Sequence, residues 1–279
     1  MNNTKQQSIL ITGCSSGIGR NAALSLSKEG WRVFATARNE RDLKTLTKAG
    51  CEALYLDYRD PSSIEACARE VLERTNNKLY AVFNNGAYGQ AGAVEDIPVD
   101  VLRDQFEVNV FGWHDLTNRL IPSMRKNNEG RIIQCSSVLG FIALRYRGAY
   151  NASKYALEGL NDTLRLELAD TNVFVSMIEP GPITSKFRET ARTNFIKTIK
   201  IAGSVHEESY RARIDEMEKT SKATFELGPD AVTKKLRHAL LASRPKARYG
   251  VTFPTHMMRV LKRILPTSWL DRILVGILE

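Results

Sequence analysis

Apolar residues along this chain gather in short continuous runs, at 8–12, 32–37, 52–56, 79–84, 131–136 and 173–179, with a weaker seventh at 248–253. Stretches rich in Val, Ile, Leu and Phe without polar alternation predict strands covered on both faces. Helix-patterned segments separate them, and this alternation predicts parallel βαβ units. The expected fold is α/β, a doubly wound parallel sheet of about seven strands with helices on both faces. Asp60-Pro61-Ser62 reads as a helix start, a cap followed by a proline at the first helical position. Leu157, Leu160, Leu164 and Leu168 recur at helical spacing. With no internal repeat and no linker, residues 1–279 are expected to form a single domain. Two segments fall outside the rhythm. Residues 182–226 mix charges with scattered Phe187, Phe195, Ile199, Tyr210 and Phe225, and a connection this long predicts a substrate loop or lid. Residues 254–279 form a tail beyond the last strand.

Composition narrows the class. A chain of 279 residues with 43% hydrophobic and 25% charged residues is globular, which excludes disorder, collagen and coiled coil. The net charge of +9 is confined to residues 232–272, where ten Lys/Arg face one acid, Asp271. A basic C-terminus without interleaved aromatics argues against nucleic-acid binding. The polar N-terminus predicts no signal peptide, and no apolar run approaches the roughly 18 residues of a membrane span. Cys14, Cys51, Cys67 and Cys135 are scattered, as expected of buried thiols in a reducing compartment. His114, His206, His238 and His256 lie too far apart to suggest a metal site. The expectation is a cytoplasmic, metal-free protein.

Candidate chemistry begins after the first run. Gly13, Ser15, Ser16, Gly17, Ile18 and Gly19 lie between a strand and a helix, in the spacing G-x-x-x-G-x-G. Glycines there permit a sharp turn and close approach of a pyrophosphate, which the helix N-terminus attracts; the competing reading is a structural turn. Cys14 reads as a small loop residue rather than a redox group. At the end of the second run, Ala37-Arg38 replaces the acid that selects a free ribose 2′-hydroxyl. Arg38 offers a guanidinium to a 2′-phosphate, or stacks on adenine. Tyr150 and Lys154 share a helix face. An ammonium close to the phenol favours phenolate and turns Tyr150 into a usable acid/base, although a solvated pair would have the same spacing. Ser136-Ser137 ends a strand, where open sheets meet their ligands.

Together these residues resemble the short-chain dehydrogenase/reductase family, over almost the whole chain. Leu56-Asp57, Asn84-Asn85-Gly86, Asn109, Ser137, Tyr150, Lys154 and Pro180-Gly181 follow the family's order and spacing. The resemblance implies a Rossmann-type domain binding NADP(H) and transferring hydride to or from a lipophilic carbonyl or alcohol. It implies that Tyr150 is the general acid/base, that Ser137 orients the carbonyl, and that Lys154 binds the ribose and lowers the tyrosine pKa. By the same resemblance Asn109 holds a water leading to Lys154. Asp57, with Tyr58 beside it, meets the adenine; Asn84 and Gly86 the adenine ribose; Pro180, Gly181, Ile183 and Thr184 the nicotinamide carboxamide. One departure is visible: the family usually reads Asn-Asn-Ala-Gly where this chain has Asn85-Gly86-Ala87-Tyr88-Gly89. That segment is similar to the branch of 17β-hydroxysteroid and retinol dehydrogenases, and to bacterial NADPH-dependent aldehyde reductases. Tyr88, Leu139, Phe141, Leu144 and Phe187 are the expected substrate contacts. A catalytically silent NADPH sensor or partner-binding protein on the same fold is the alternative.

Partners follow from the helices. The 157–168 helix with Gly159 suits the seam of the homodimer or homotetramer that the resemblance implies. In the tail, Met257, Met258, Leu261, Ile264 and Leu265 share a helical face, with Arg259, Lys262 and Arg263 opposite. Pro266 ends that helix, and Ser268 can cap a second carrying Trp269, Leu270, Ile273, Leu274 and Ile277. Such a pair either folds over the substrate cleft or a subunit seam, or makes peripheral contact with an anionic membrane.

Overall fold

Every apolar run becomes a strand. In the computed structural model, which describes residues 6–218 and 224–277, these are β1 (Ser8–Ile11), β2 (Arg32–Ala37), β3 (Glu52–Tyr55), β4 (Ala81–Asn84), β5 (Gly130–Cys135), β6 (Val173–Glu179) and β7 (Arg248–Gly250). They form one sheet in the order β3-β2-β1-β4-β5-β6-β7, every neighbouring pair parallel. The seventh strand is shorter than its run: Gly250 pairs with Glu179, and the chain then turns into a helix at Phe253. All residues of β1, β4 and β5 are buried, because helices cover both faces. The order reverses between β1 and β4, which opens a crevice at the carboxyl ends of these strands.

The connecting helices are α1 (Gly17–Lys28), α2 (Glu40–Lys48), α3 (Pro61–Arg74), α4 (Val99–Phe106), α5 (Gly112–Asn127), α6 (Gly148–Glu167) and α9 (Asp230–Leu241), with α7 (Phe187–Thr198) and α8 (Glu207–Glu218) between β6 and α9. The cap read from the sequence is present: Asp60 accepts from the Ser62 amide at 2.9 Å, with Pro61 first in α3. A π-helical turn, Glu107–Phe111, widens the junction of α4 and α5. The leucine stripe of α6 divides. Leu157 and Leu168 are buried and Leu164 packs against the core, whereas Leu160 is exposed. At about 100° per residue, Leu160 and Asn161 flank the face that Leu157 and Leu164 share by about 50° on opposite sides, and it is the Asn161 flank that turns inward.

The segment 182–226 is largely helical rather than a loop; its residues 219–223 lie outside the described residues. Tyr210 ties it to the body, donating to Asp96 at 2.5 Å and accepting from the Ala93 amide at 2.9 Å. In the tail, α10 (Phe253–Ile264) and α11 (Thr267–Val275) are separated by Leu265 and Pro266. Residue Pro266 itself caps α11, so Ser268 lies within the first turn. Met258, Leu270 and Leu274 are buried, and Met257, Leu261, Leu265 and Ile277 pack with them, in a cluster with Leu139, Ile142 and Tyr150. The tail therefore folds onto the crevice. Ile264, Trp269 and Ile273 face outward instead. The basic excess is partly neutralised at long range: Arg237 pairs with Glu29, Arg248 with Glu158 and Asp162, and Arg259 with Glu179.

Candidate active site

The crevice floor is built where β1 and β4 end. Thr12 accepts through its hydroxyl from the Asn85 and Gly86 amides at 2.9 and 3.0 Å, and Asn85 donates back to the Thr12 carbonyl at 3.0 Å. Gly13 then turns with φ +69°, and a Cβ on it would lie 2.5 Å from the Gly86 Cα. Only a bare backbone passes there. Gly17 has φ +56° and opens α1, where a Cβ would lie 2.9 Å from the Ser185 Cβ. Ser16 takes the cap position with an extended backbone and makes no side-chain capping bond. Its hydroxyl and the first amides of α1 suit a pyrophosphate. Cys14 is buried, donates to the Ile11 carbonyl at 3.1 Å, and has its thiol pKa pushed far up by burial, so it is no redox group here.

Around the expected adenine end, Arg38 is exposed directly after buried Ala37, and Asp57 is half-buried and caps the Arg59 amide at 3.1 Å. Tyr58 and Asn84 turn their side chains into the molecule. The Tyr58 hydroxyl donates to the Asn84 amide oxygen at 2.9 Å, and the Asn84 nitrogen donates to Thr117 at 2.9 Å. Both side chains are buried inside the molecule, so a nucleotide would meet the backbone at these positions.

At the other end, α6 presents Tyr150 and Lys154, both buried. The Lys154 ammonium lies 5.7 Å from the Tyr150 ring centroid, 4.3 Å from that of Trp113, and donates to the Cys135 carbonyl at 2.8 Å. Burial lowers its pKa to about 8. Ser137 follows β5 with an extended backbone, and its hydroxyl accepts from the Leu139 amide at 3.1 Å. The next amide, Val138, donates to the Pro180 carbonyl at 2.8 Å, joining the serine turn to the 180–184 loop. In that loop the Thr184 hydroxyl donates to Glu226 at 2.6 Å, while the Thr184 amide and Leu227 pair through their backbones. Phe187 stands edge-on to Tyr150 at 5.3 Å between centroids. Asn109, on the π-helical turn, spends its side chain on the Tyr88 backbone in both directions, at 3.2 and 2.9 Å, and donates to Ser153 at 3.2 Å. Tyr88 is buried under the Arg59 guanidinium. Gly89, rather than Tyr88, faces the Tyr150 and Phe187 rings. Leu139, Phe141 and Leu144 pack in the apolar cluster over Tyr150.

A family model described as short chain dehydrogenase matches residues 7–195. The chain belongs to the short-chain dehydrogenase family. It is 42% identical over 97% of its length to an uncharacterized oxidoreductase of Escherichia coli, YbbO, covering 95% of that protein. It is also 31% identical to an NADPH-dependent 3-dehydrocapnine reductase of Ornithobacterium rhinotracheale, covering 95% of this chain and 94% of the other. A short-chain dehydrogenase structure from Streptomyces avermitilis superposes with a TM-score of 0.76 at 26% identity, over 97% of this chain and 98% of that one. It is thus a short-chain dehydrogenase-type oxidoreductase, of a family that binds NAD(P) and small substrates.

Several residues of this short-chain dehydrogenase site were not singled out from the sequence. The Trp113 indole donates to the Gly86 carbonyl at 2.8 Å and faces the Lys154 ammonium, so it links the cofactor side to the proton side. Thr12 pins the loop after β4. Glu158, one turn beyond Lys154, accepts from Ser136 at 2.5 Å and pairs with Arg248. Helical spacing from Lys154 points to Glu158; Trp113 and Thr12 carry no local signal, because the packing of α5 and the pairing of β1 with β4 bring them in.

Proposed function

We propose that this protein is an NADP(H)-dependent oxidoreductase that reduces the aldehyde or ketone of a lipophilic substrate, or oxidises the corresponding alcohol, with Tyr150 as general acid/base. The observation that carries the reading is a buried tyrosine paired with a buried lysine beside Ser137, under an apolar roof. NADP(H), when bound, supplies or accepts the hydride. The glycine turn at 13–19 and the free cap hydroxyl of Ser16 fit its pyrophosphate, exposed Arg38 fits a 2′-phosphate, and Gly181, Ile183 and Thr184 adjoin the nicotinamide end. Ser137 would donate to the carbonyl oxygen, and Tyr150 would pass it a proton. The charge of Lys154 favours phenolate once the proton has gone. Leu139, Phe141, Phe187 and the tail exclude water and favour an apolar substrate. The NADPH dependence of the Ornithobacterium reductase supports the cofactor choice.

Exposed Gly159, Leu160 and Leu166 on α6 support a homodimer or homotetramer built on this helix. Outward Val260, Ile264, Trp269 and Ile273, beside exposed Lys262, Arg263 and Arg272, support peripheral contact with an anionic membrane.

The test is an NADPH-oxidation screen over aldehydes, ketosteroids, retinal and medium-chain ketones, repeated with NADH. NADPH should be preferred by at least about tenfold in kcat/KM, and Arg38→Ala should remove most of that gap. Tyr150→Phe should lower kcat by about 10²–10⁴ with NADPH binding kept. NADPH binding without turnover on any carbonyl would instead favour the silent sensor.

A further inference from the structure

The carboxylate of Glu179 is fully buried at the end of β6, immediately before the Pro180-Gly181 turn, and neither oxygen makes a well-formed hydrogen bond. Its countercharges come from two later elements. The Arg248 Nε on β7 lies 3.4 Å away, and the Arg259 guanidinium of α10 closes directly on the other oxygen. Arg248 is already shared with Glu158 and Asp162, at 3.0 and 2.6 Å. Arg259 makes no ion pair with those two acids and sits over the Phe141 ring at 5.1 Å. One turn on, the Lys262 ammonium donates to the Phe141 carbonyl. An open groove of about 380 Å³ runs past these groups, with Phe141, Tyr155 and Arg263 among its walls. Next to Arg259 on α10, Met258 packs with the α11 residues Leu270 and Leu274 and with Leu139 and Tyr150.

A buried carboxylate needs a countercharge, and the chain's tail supplies one. We propose that Arg259, through its ion pair with Glu179, is a positioning and specificity-determining residue. It pins α10–α11 to the end of β6 as the roof of the substrate cleft and so sets the preference for long apolar carbonyls over short ones. This rests on the carbonyl-reductase reading. A short aldehyde occupies only the space at Ser137 and Tyr150, whereas a long one must lie along the roof. Loss of the anchor therefore weakens the hold on the long chain and leaves the proton chemistry intact.

The experiment compares wild type, Arg259→Met and Arg259→Lys, using propanal and decanal with NADPH. Methionine keeps an apolar stem over Phe141 and removes the charge; lysine keeps the charge. In Arg259→Met, KM for decanal should rise about tenfold, while kcat/KM for propanal stays within about twofold. Arg259→Lys should restore most of the decanal KM. Hydrogen exchange, which needs no turnover, should quicken at least about tenfold in residues 253–277 of Arg259→Met and stay unchanged in β1 and β4. Unchanged exchange in the roof, or propanal and decanal kinetics falling in parallel with Tm, overturns the proposal. If the wild type reduces neither aldehyde, the specificity claim falls, while the functional reading stands or falls on the wider carbonyl screen. The exchange measurement then still decides whether Arg259 holds the roof.

Discussion

Lys154 is the residue on which pH acts most directly. Buried against Trp113 and the Cys135 carbonyl, its ammonium has a pKa lowered to about 8 from an ordinary 10.5. Between those values the unfolded chain binds a proton that the folded chain has shed, so stability gains from this group as pH rises through the window. Below about 8 the folded protein bears the full cost of the buried charge. Lys154→Met should accordingly gain Tm relative to the parent at pH 7, and the gain should shrink toward pH 10, as thermal melts across that range would show. NADPH-dependent reduction should fall over the same interval, since the ammonium near Tyr150 disappears. Tyr150 and Lys154 were legible in the sequence because four residues of helix fix their relation. The Tyr58 and Asn84 side chains were not: adjacency to the nucleotide edge is a property of their backbone, and their inward turn depends on Thr117, a partner from α5.

At the scale of elements, continuous apolar runs between helices place every strand, although the run of β4 begins two residues early and that of β7 ends three residues late. The segment after β6 reads as a substrate loop or lid, and its helices leave no pattern in the sequence, because α7 and α8 carry little apolar face: among their described side chains only Ala191, Phe195 and Tyr210 are buried. Their order comes from tertiary ties such as Tyr210 to Asp96. The tail's two helices were legible, but not which face would turn inward. Ile264 reads as part of the apolar stripe yet lies outside, because Arg259 and Met258 both turn inward and rotate the helix accordingly. The loop after β4 meets this lid at Gly89, where a Cβ would lie 2.7 Å from the Phe187 ring and 3.6 Å from that of Tyr150. Gly89→Ala should push Phe187 outward and raise KM for bulky carbonyls by about 3–10-fold, with a smaller change in kcat. Steady-state kinetics on a bulky and a small ketone would check this.

For the whole molecule, basic charge and exposed apolar side chains fall together on the tail. No helix among the described residues is long and apolar enough to cross a membrane. Val260, Ile264, Trp269 and Ile273 nevertheless stand outward among Lys262, Arg263 and Arg272. Sedimentation with anionic vesicles should pellet the protein at low salt and release it at high salt, whereas neutral vesicles should not retain it. Trp269→Ser with Ile273→Ser should abolish pelleting while NADPH binding persists. Salt-independent pelleting, or none, would remove the membrane from the list of partners.

Ser185, just before α7, stands over Gly17 at the start of α1, near enough that a Cβ on the glycine would lie 2.9 Å from the serine Cβ. A dinucleotide whose pyrophosphate lies on the glycine turn would be strapped in by that crossing. It could then enter or leave only when the 183–187 stretch swings away. The timing of catalysis would then be that of a gate: the nucleotide loads first and unloads last, and the opening step is the slow one. NADPH deuterated at the transferred position should therefore give an isotope effect near unity on kcat, although single-turnover rates still show a full one. Added viscosogen should slow steady-state turnover in proportion.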